Sequence, residues 1–286
     1  MKTNRFNLLF LLLLTGCTTL IQPREEVIFV SIPPLRYVVG QIVDTTTTRI
    51  EVFVPETSSP ESYEPTVLQI RRLADASGYV STGLIDFEQV LAGQIGEVAP
   101  KTPMLDLSEH LSATATDHHH GEGAADPHVW LSPRRIDSIG REVARFLGEL
   151  RPDSAQLYRE RAERFSKRID TLDRYIRSVV SGSVRNEFAI GHTSLTYFAD
   201  DYGLRQIAIE EHGKEPSVRQ MKLLADSLRA LGVKAVLYQR QTSDAAARAI
   251  ARELPDGQAV EFDPLAENWM KNMYRLADTL HVILNE

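Results

Sequence analysis

Cysteine is nearly absent from this chain: Cys17 is the only one in 286 residues. No disulfide can therefore close within it. A cationic excess is missing too. The 32 Lys and Arg against 39 Asp and Glu leave a net charge of −7, which excludes nucleic acid as the expected partner, because phosphate binding needs a basic face. Beyond Leu14 no run is apolar for long enough to cross a bilayer. No His-Glu-x-x-His or other compact hydrolase motif occurs. A chain of this length can bury one large core or two modest ones.

What is present begins with a short export signal. Lys2 and Arg5 precede an almost pure leucine run from Leu8 to Leu14, the core of a secretory signal and too short for a stable spanning helix. It ends in Leu14-Thr15-Gly16-Cys17, which resembles the bacterial lipoprotein signal. That resemblance implies cleavage before Cys17 and lipidation of its thiol, so that 1–17 is removed up to the anchor and 18–26 is a polar tether. The lipid would hold the exported domain on a membrane face, periplasmic or cell-surface. The alternative is an ordinary signal peptide with an incidental cysteine.

From residue 27 to about 150, strand and helix signals alternate. Residues 27–32, 50–54 and 79–80 read as strands. Helical patterns follow at Pro33 to about Val43 and after Pro65, where Val67, Ile70, Leu73 and Ala74 share a face. An amphipathic segment spans Phe87 to Ile95. A further helix runs from Ser132-Pro133 to near Leu150. This alternation predicts α/β architecture with a parallel sheet. Within this first lobe, 112–126 is a His-rich loop.

The segment 151–182 reads differently. Tyr158, Ala162, Phe165, Ile169, Leu172, Ile176 and Val179 recur at alternating spacings of four and three, among mostly charged residues. A coiled coil would give the same seam; in a chain of alternating strands the pattern predicts one long backbone helix laid along the protein. From 183 to 286 alternation resumes, with strands at 187–190, 205–209, 234–238 and 258–262. Helices are expected from Ser194, Pro216, Ser243 and Leu265. The plan is thus a lobe, a long helix and a second lobe, with no internal repeat in detail.

Four candidate metal ligands stand out: Glu61, His128, His192 and Asp263. Three of them follow strands, and in open α/β sheets ligands bind beyond the carboxyl ends of strands. Two imidazoles and two carboxylates suit a divalent transition metal, and the two negative charges balance the ion. Each residue has a plainer reading. His128 could pack beside Trp130, His192 could donate to a helix end, Asp263 could cap the last helix, and Glu61 could be a solvated loop residue. His212, on the rim after a strand, is a substitute ligand, and His118, His119 and His120 form an accessory imidazole cluster.

These residues lie in motifs that together resemble the metal-binding lipoproteins of bacterial ABC importers, most closely the zinc-uptake branch. The markers are Ser59 to Thr66, Asp126-Pro127-His128-Val129-Trp130 after the His-rich loop, and Gly191-His192 leading to Tyr197-Phe198-Ala199. Glu215-Pro216-Ser217 and Asp263-Pro264-Leu265 complete the set. The resemblance implies two lobes joined by a backbone helix and a metal held in the cleft. It further implies a monomeric, non-enzymatic solute-binding protein that hands its cation to a membrane permease driven by a cytoplasmic ATPase. One position departs: zinc members usually carry histidine where this chain has Glu61. Manganese members commonly combine two histidines, a glutamate and an aspartate, so Mn2+ is the alternative cargo to Zn2+. A metal-dependent hydrolase, with Glu61 as base, and an adhesin or metal-buffering surface protein with no permease partner are the remaining rivals.

Overall fold

The computed structural model describes residues 26–111, 126–210 and 216–285. In the first lobe, β1 (Glu26–Val30) leads through Pro33, at the first turn of α1 (Pro33–Ile42), to β2 (Thr48–Val52). Then follow α2 (Val67–Leu73), β3 (Gly78–Ser81), α3 (Asp86–Val98) and β4 (Met104–Asp106). The four strands are all parallel and ordered β2-β1-β3-β4. β4 was not expected: three residues after Pro103 carry too little periodicity to register as a strand.

α4 (Pro133–Leu150) is capped by Ser132, whose hydroxyl accepts from Arg135 N. A 3-10 turn at Pro152–Ser154 then opens α5 (Ala155–Val180), a helix of 26 residues and so ~39 Å long at 1.5 Å per residue. Its buried face is the expected seam with two changes: Ser166 is buried as well, and Val180, not Val179, is the last buried residue. α5 packs against α4 and α1 of the first lobe, and against the last helix of the second.

The second lobe contains β5 (Glu187–Ile190), α6 (Thr196–Tyr202), β6 (Arg205–Ala208), α7 (Val218–Ala230), β7 (Ala235–Gln239), α8 (Ala245–Glu253), β8 (Gln258–Phe262) and α9 (Trp269–Asn285). Its sheet repeats the first lobe's order, β6-β5-β7-β8, again all parallel. α9 starts later than Leu265 because Asp263 Oδ1 accepts from Leu265 N at 3.0 Å, which closes a turn instead of a helix.

The expectation of no detailed repeat is corrected. Residues 65–70 (Pro-Thr-Val-Leu-Gln-Ile) and 216–221 (Pro-Ser-Val-Arg-Gln-Met) match in pattern. Both form capping boxes, Thr66 with Gln69 and Ser217 with Gln220, at the starts of α2 and α7. The pattern is short and diluted by charged residues, so it surfaces only once both helices hold equivalent places.

One hydrophobic core runs from the first lobe through the α5 seam into the second, from Phe29 and Trp130 to Phe165, Phe198 and Trp269. A smaller cluster lies farther out in the second lobe, around Leu228, Val236 and Ile250. A shared core gives the lobes little freedom to separate, since packed interiors do not deform continuously. Among the described residues, no helix is long and apolar enough to cross a membrane.

Candidate metal centre

The two sheets point the carboxyl ends of their strands toward one cleft. From the first lobe, β2 passes through buried Phe53 and Val54 to a 3-10 turn at Pro60–Ser62 that carries Glu61. Gln69 clasps this loop: its Nε2 donates to Phe53 O at 2.8 Å, and its Oε1 accepts from Tyr63 Oη at 2.8 Å. Tyr63 also packs edge-on against Phe87, centroids 5.5 Å apart. The neighbouring Glu88, fully buried, accepts from the amides of Thr82, Leu84 and Ile85, and so fixes the turn that presents Phe87.

His128 has a side chain only 3% exposed. Asp126 Oδ1 accepts from the His128 amide at 2.8 Å and lies 2.8 Å from its Nδ1. With Nδ1 donating to that carboxylate, Nε2 is left with its lone pair facing the cleft. Burial works against ionisation of Asp126, but the charge and hydrogen bonds of His128 outweigh it and hold the carboxyl below its usual range. Trp130, fully buried, flanks the ring and donates through Nε1 to Pro264 O at 2.9 Å, while Trp269 Nε1 donates to Trp130 O at 2.7 Å. The segment bearing His128 is thereby bolted to the second lobe.

His192 follows β5 by two residues. Its Nδ1 lies 2.9 Å from Glu210 Oε2 and its Nε2 2.8 Å from Glu61 Oε1. Burial alone would lower its pKa, but Glu210 and Glu61 overcome that and raise it to about 10. The two imidazole centroids are 5.3 Å apart, and His128 Nε2 is 3.6 Å from the same Glu61 oxygen. One ligand atom from each of Glu61, His128 and His192 lies within 4.8 Å of the others. Tetrahedral zinc with bonds of about 2.0–2.1 Å separates its donors by roughly 3.3 Å. The 2.8 and 3.6 Å separations bracket that value, so small shifts suffice to admit a cation.

Asp263 does not join this group. Its Oδ1 accepts from Gln241 Nε2 at 2.8 Å and from Leu265 N, and its Oδ2 faces Arg240 Nη1 at 3.5 Å. Gln241 Nε2 also donates to Glu56 O at 2.7 Å, so Asp263 braces the lobes beside the site. Beside Glu61, the carboxylates next to the imidazoles are Asp126 and Glu210, which orient them. Their parts went unread in the sequence. Asp126 sits two residues before His128, a local signal. Glu210 is found only through register: the pairing of Ile190 with Ala208, carried two residues on, sets His192 beside Glu210. His212, His118, His119, His120 and Cys17 lie outside the described residues.

Comparison with known proteins agrees with this architecture. Residues 28–282 match the family model described as "Zinc-uptake complex component A periplasmic". The zinc-binding protein AdcA of Streptococcus pyogenes serotype M3 is 25% identical over 240 residues, covering 75% of this chain and 46% of that protein; the chain thus spans about half the length of this relative. The high-affinity zinc uptake system protein ZnuA of Bacillus subtilis is 25% identical over 220 residues, covering 72% of this chain and 68% of that one. A crystal structure of ZnuA superposes with a TM-score of 0.85 at 30% identity, covering 91% of this chain and 99% of the other. With two imidazoles and a carboxylate converging between paired parallel sheets, the chain belongs to the family of periplasmic zinc-uptake component A, whose members are metal-binding transport proteins and not enzymes.

Proposed function

We propose that this protein captures Zn2+ in the cleft between its lobes and passes it to an ABC permease powered by a cytoplasmic ATPase. Glu61, His128 and His192 are the metal ligands in this reading, with an open position left for solvent. The observation that carries it is the convergence of two Nε2 atoms on one Glu61 oxygen, with each Nδ1 held by a separate carboxylate. Such carboxylate–imidazole pairs fix ring orientation and strengthen the donor nitrogen. Asp263 serves as an interlobe brace, since its Oδ1 already accepts from Gln241 Nε2 and Leu265 N and its Oδ2 faces Arg240.

Zinc is favoured over manganese because two imidazoles in a compact set suit it, and because intrinsic affinity rises from manganese to zinc. Glu61 is the observation that favours Mn2+ as the second reading, as a hard oxygen donor at a position where zinc relatives usually hold histidine. The export signal and Cys17 support an exported protein, lipid-anchored on a membrane face. Metal analysis of the purified protein, with zinc and manganese competing at equal free concentration, tests the reading. One zinc per chain is the expected result; no bound metal, or manganese in preference, would overturn it.

A further inference from the structure

The two orienting carboxylates are themselves connected, and the connector is α6. Its start is mounted on the second lobe: Gln206 on β6 accepts from Leu195 N at 3.1 Å and donates to Thr196 Oγ1 at 2.5 Å. β6 leads directly to Glu210, the partner of His192. One residue after Thr196, Tyr197 crosses to the first lobe, where its hydroxyl donates to Asp126 O at 2.8 Å. Asp126 is the residue whose side chain holds His128. The Tyr197 ring is fully buried, with the Arg135 guanidinium 3.9 Å over its face. Burial, reinforced by Asp126, pushes the phenol up to about 12, so it remains a donor throughout the physiological range. A largely buried path thus joins the imidazoles: His192, the backbone from Thr193 to Thr196, the Tyr197 hydroxyl, the Asp126 peptide and carboxylate, then His128.

We infer that Tyr197 is a positioning residue that fixes the separation of the two imidazoles and thereby selects a small tetrahedral cation over one that prefers longer bonds and more ligands. This rests on the metal-capture reading above. Ser132 Oγ to Asp201 at 2.5 Å holds the same helix away from the ligands, whereas Thr196, at its start, also meets the Asp126 carboxylate. Cutting the Tyr197 bond frees the Asp126 peptide while leaving the packing of α6 in place. The looser pair of rings then tolerates a larger cation.

Tyr197→Phe keeps the ring and removes only the donor, and Tyr202→Phe is the control. Tyr202 lies on the same helix and donates to Asp173 of α5, away from the ligand path. Two quantities are read: the zinc-to-manganese affinity ratio and the visible absorption of the Co2+-loaded protein. Tyr197→Phe should lower the ratio about tenfold, within the range typical for outer partners of metal ligands, and weaken the tetrahedral cobalt bands. Tyr202→Phe should change neither. An unaltered ratio and spectrum in Tyr197→Phe would overturn the inference, and so would an equal change in Tyr202→Phe, which would mean that any loosening of α6 suffices. A parent protein that binds neither zinc nor cobalt would instead defeat the metal-capture reading itself.

Discussion

The two halves of the metal centre are built on one plan by different means. In the first lobe His128 is oriented by Asp126, two residues away, and is walled in by Trp130. In the second, His192 is oriented by Glu210, eighteen residues away, just beyond the end of the neighbouring strand β6. The first half is a local motif that any fold holding this turn would reproduce. The second exists only when β5 and β6 pair in register. Glu61 bridges them from a loop clasped by Gln69, with its side chain 36% exposed. The difference teaches that one half of the site is prebuilt by local sequence and the other by the sheet.

The sharpest way to break this comparison is to remove a ligand from each half. His128→Ala and His192→Ala should each lower zinc affinity beyond the ~100-fold upper range for an outer partner, read by competition against a chelator. Retained affinity in either would remove that half from the site. Removing the orienting carboxylates comes next. Asp126→Asn and Glu210→Gln should each cost roughly 10–100-fold. Asp126→Asn should also lower the melting temperature, because it disturbs a buried ionised group, whereas the half-buried Glu210 should show little such effect.

The halves also differ in protonation. With its pKa raised to about 10, His192 is protonated in the metal-free protein at neutral pH, and the incoming cation must displace that proton. Zinc affinity should therefore climb about tenfold per pH unit below that pKa. Calorimetry in buffers of different ionisation enthalpy should show close to one proton released per metal at pH 7.5. The stability of the metal-free protein runs the other way. The His192 ion pairs contribute fully below the ordinary value of 6.5 and are lost as pH rises through about 10. The smallest effects belong to the matched helix caps: Thr66→Ala and Ser217→Ala should each cost ~1 kcal/mol in denaturant titration. Only Thr66→Ala should also weaken zinc binding, because its partner Gln69 clasps the Glu61 loop.

How much of this was legible in the sequence follows the same local-versus-distant division. Alternating strands and helices, and the four-three seam from Tyr158 onward, announce two parallel sheets and a spine, because burial imposes those periods on any chain. Pro33 and Ser132-Pro133 mark helix starts by backbone chemistry alone. The end of the seam slipped from Val179 to Val180, since the packing of the last turn is set by tertiary neighbours. Glu61 and His192 stand out from residue type and place after strands, and His128 from its Asp126-Pro127 entry after the His-rich loop. The role of Glu210 and the diversion of Asp263 to Gln241 depend on strand register and on contacts between lobes, which no local pattern encodes.

The most direct measurement is an anomalous difference map, at the zinc absorption edge, from crystals of the zinc-loaded protein. One strong peak bonded to Glu61 Oε1, His128 Nε2 and His192 Nε2 is the expected result. A peak bonded to other residues, with these three left facing each other as they are now, would contradict the assignment.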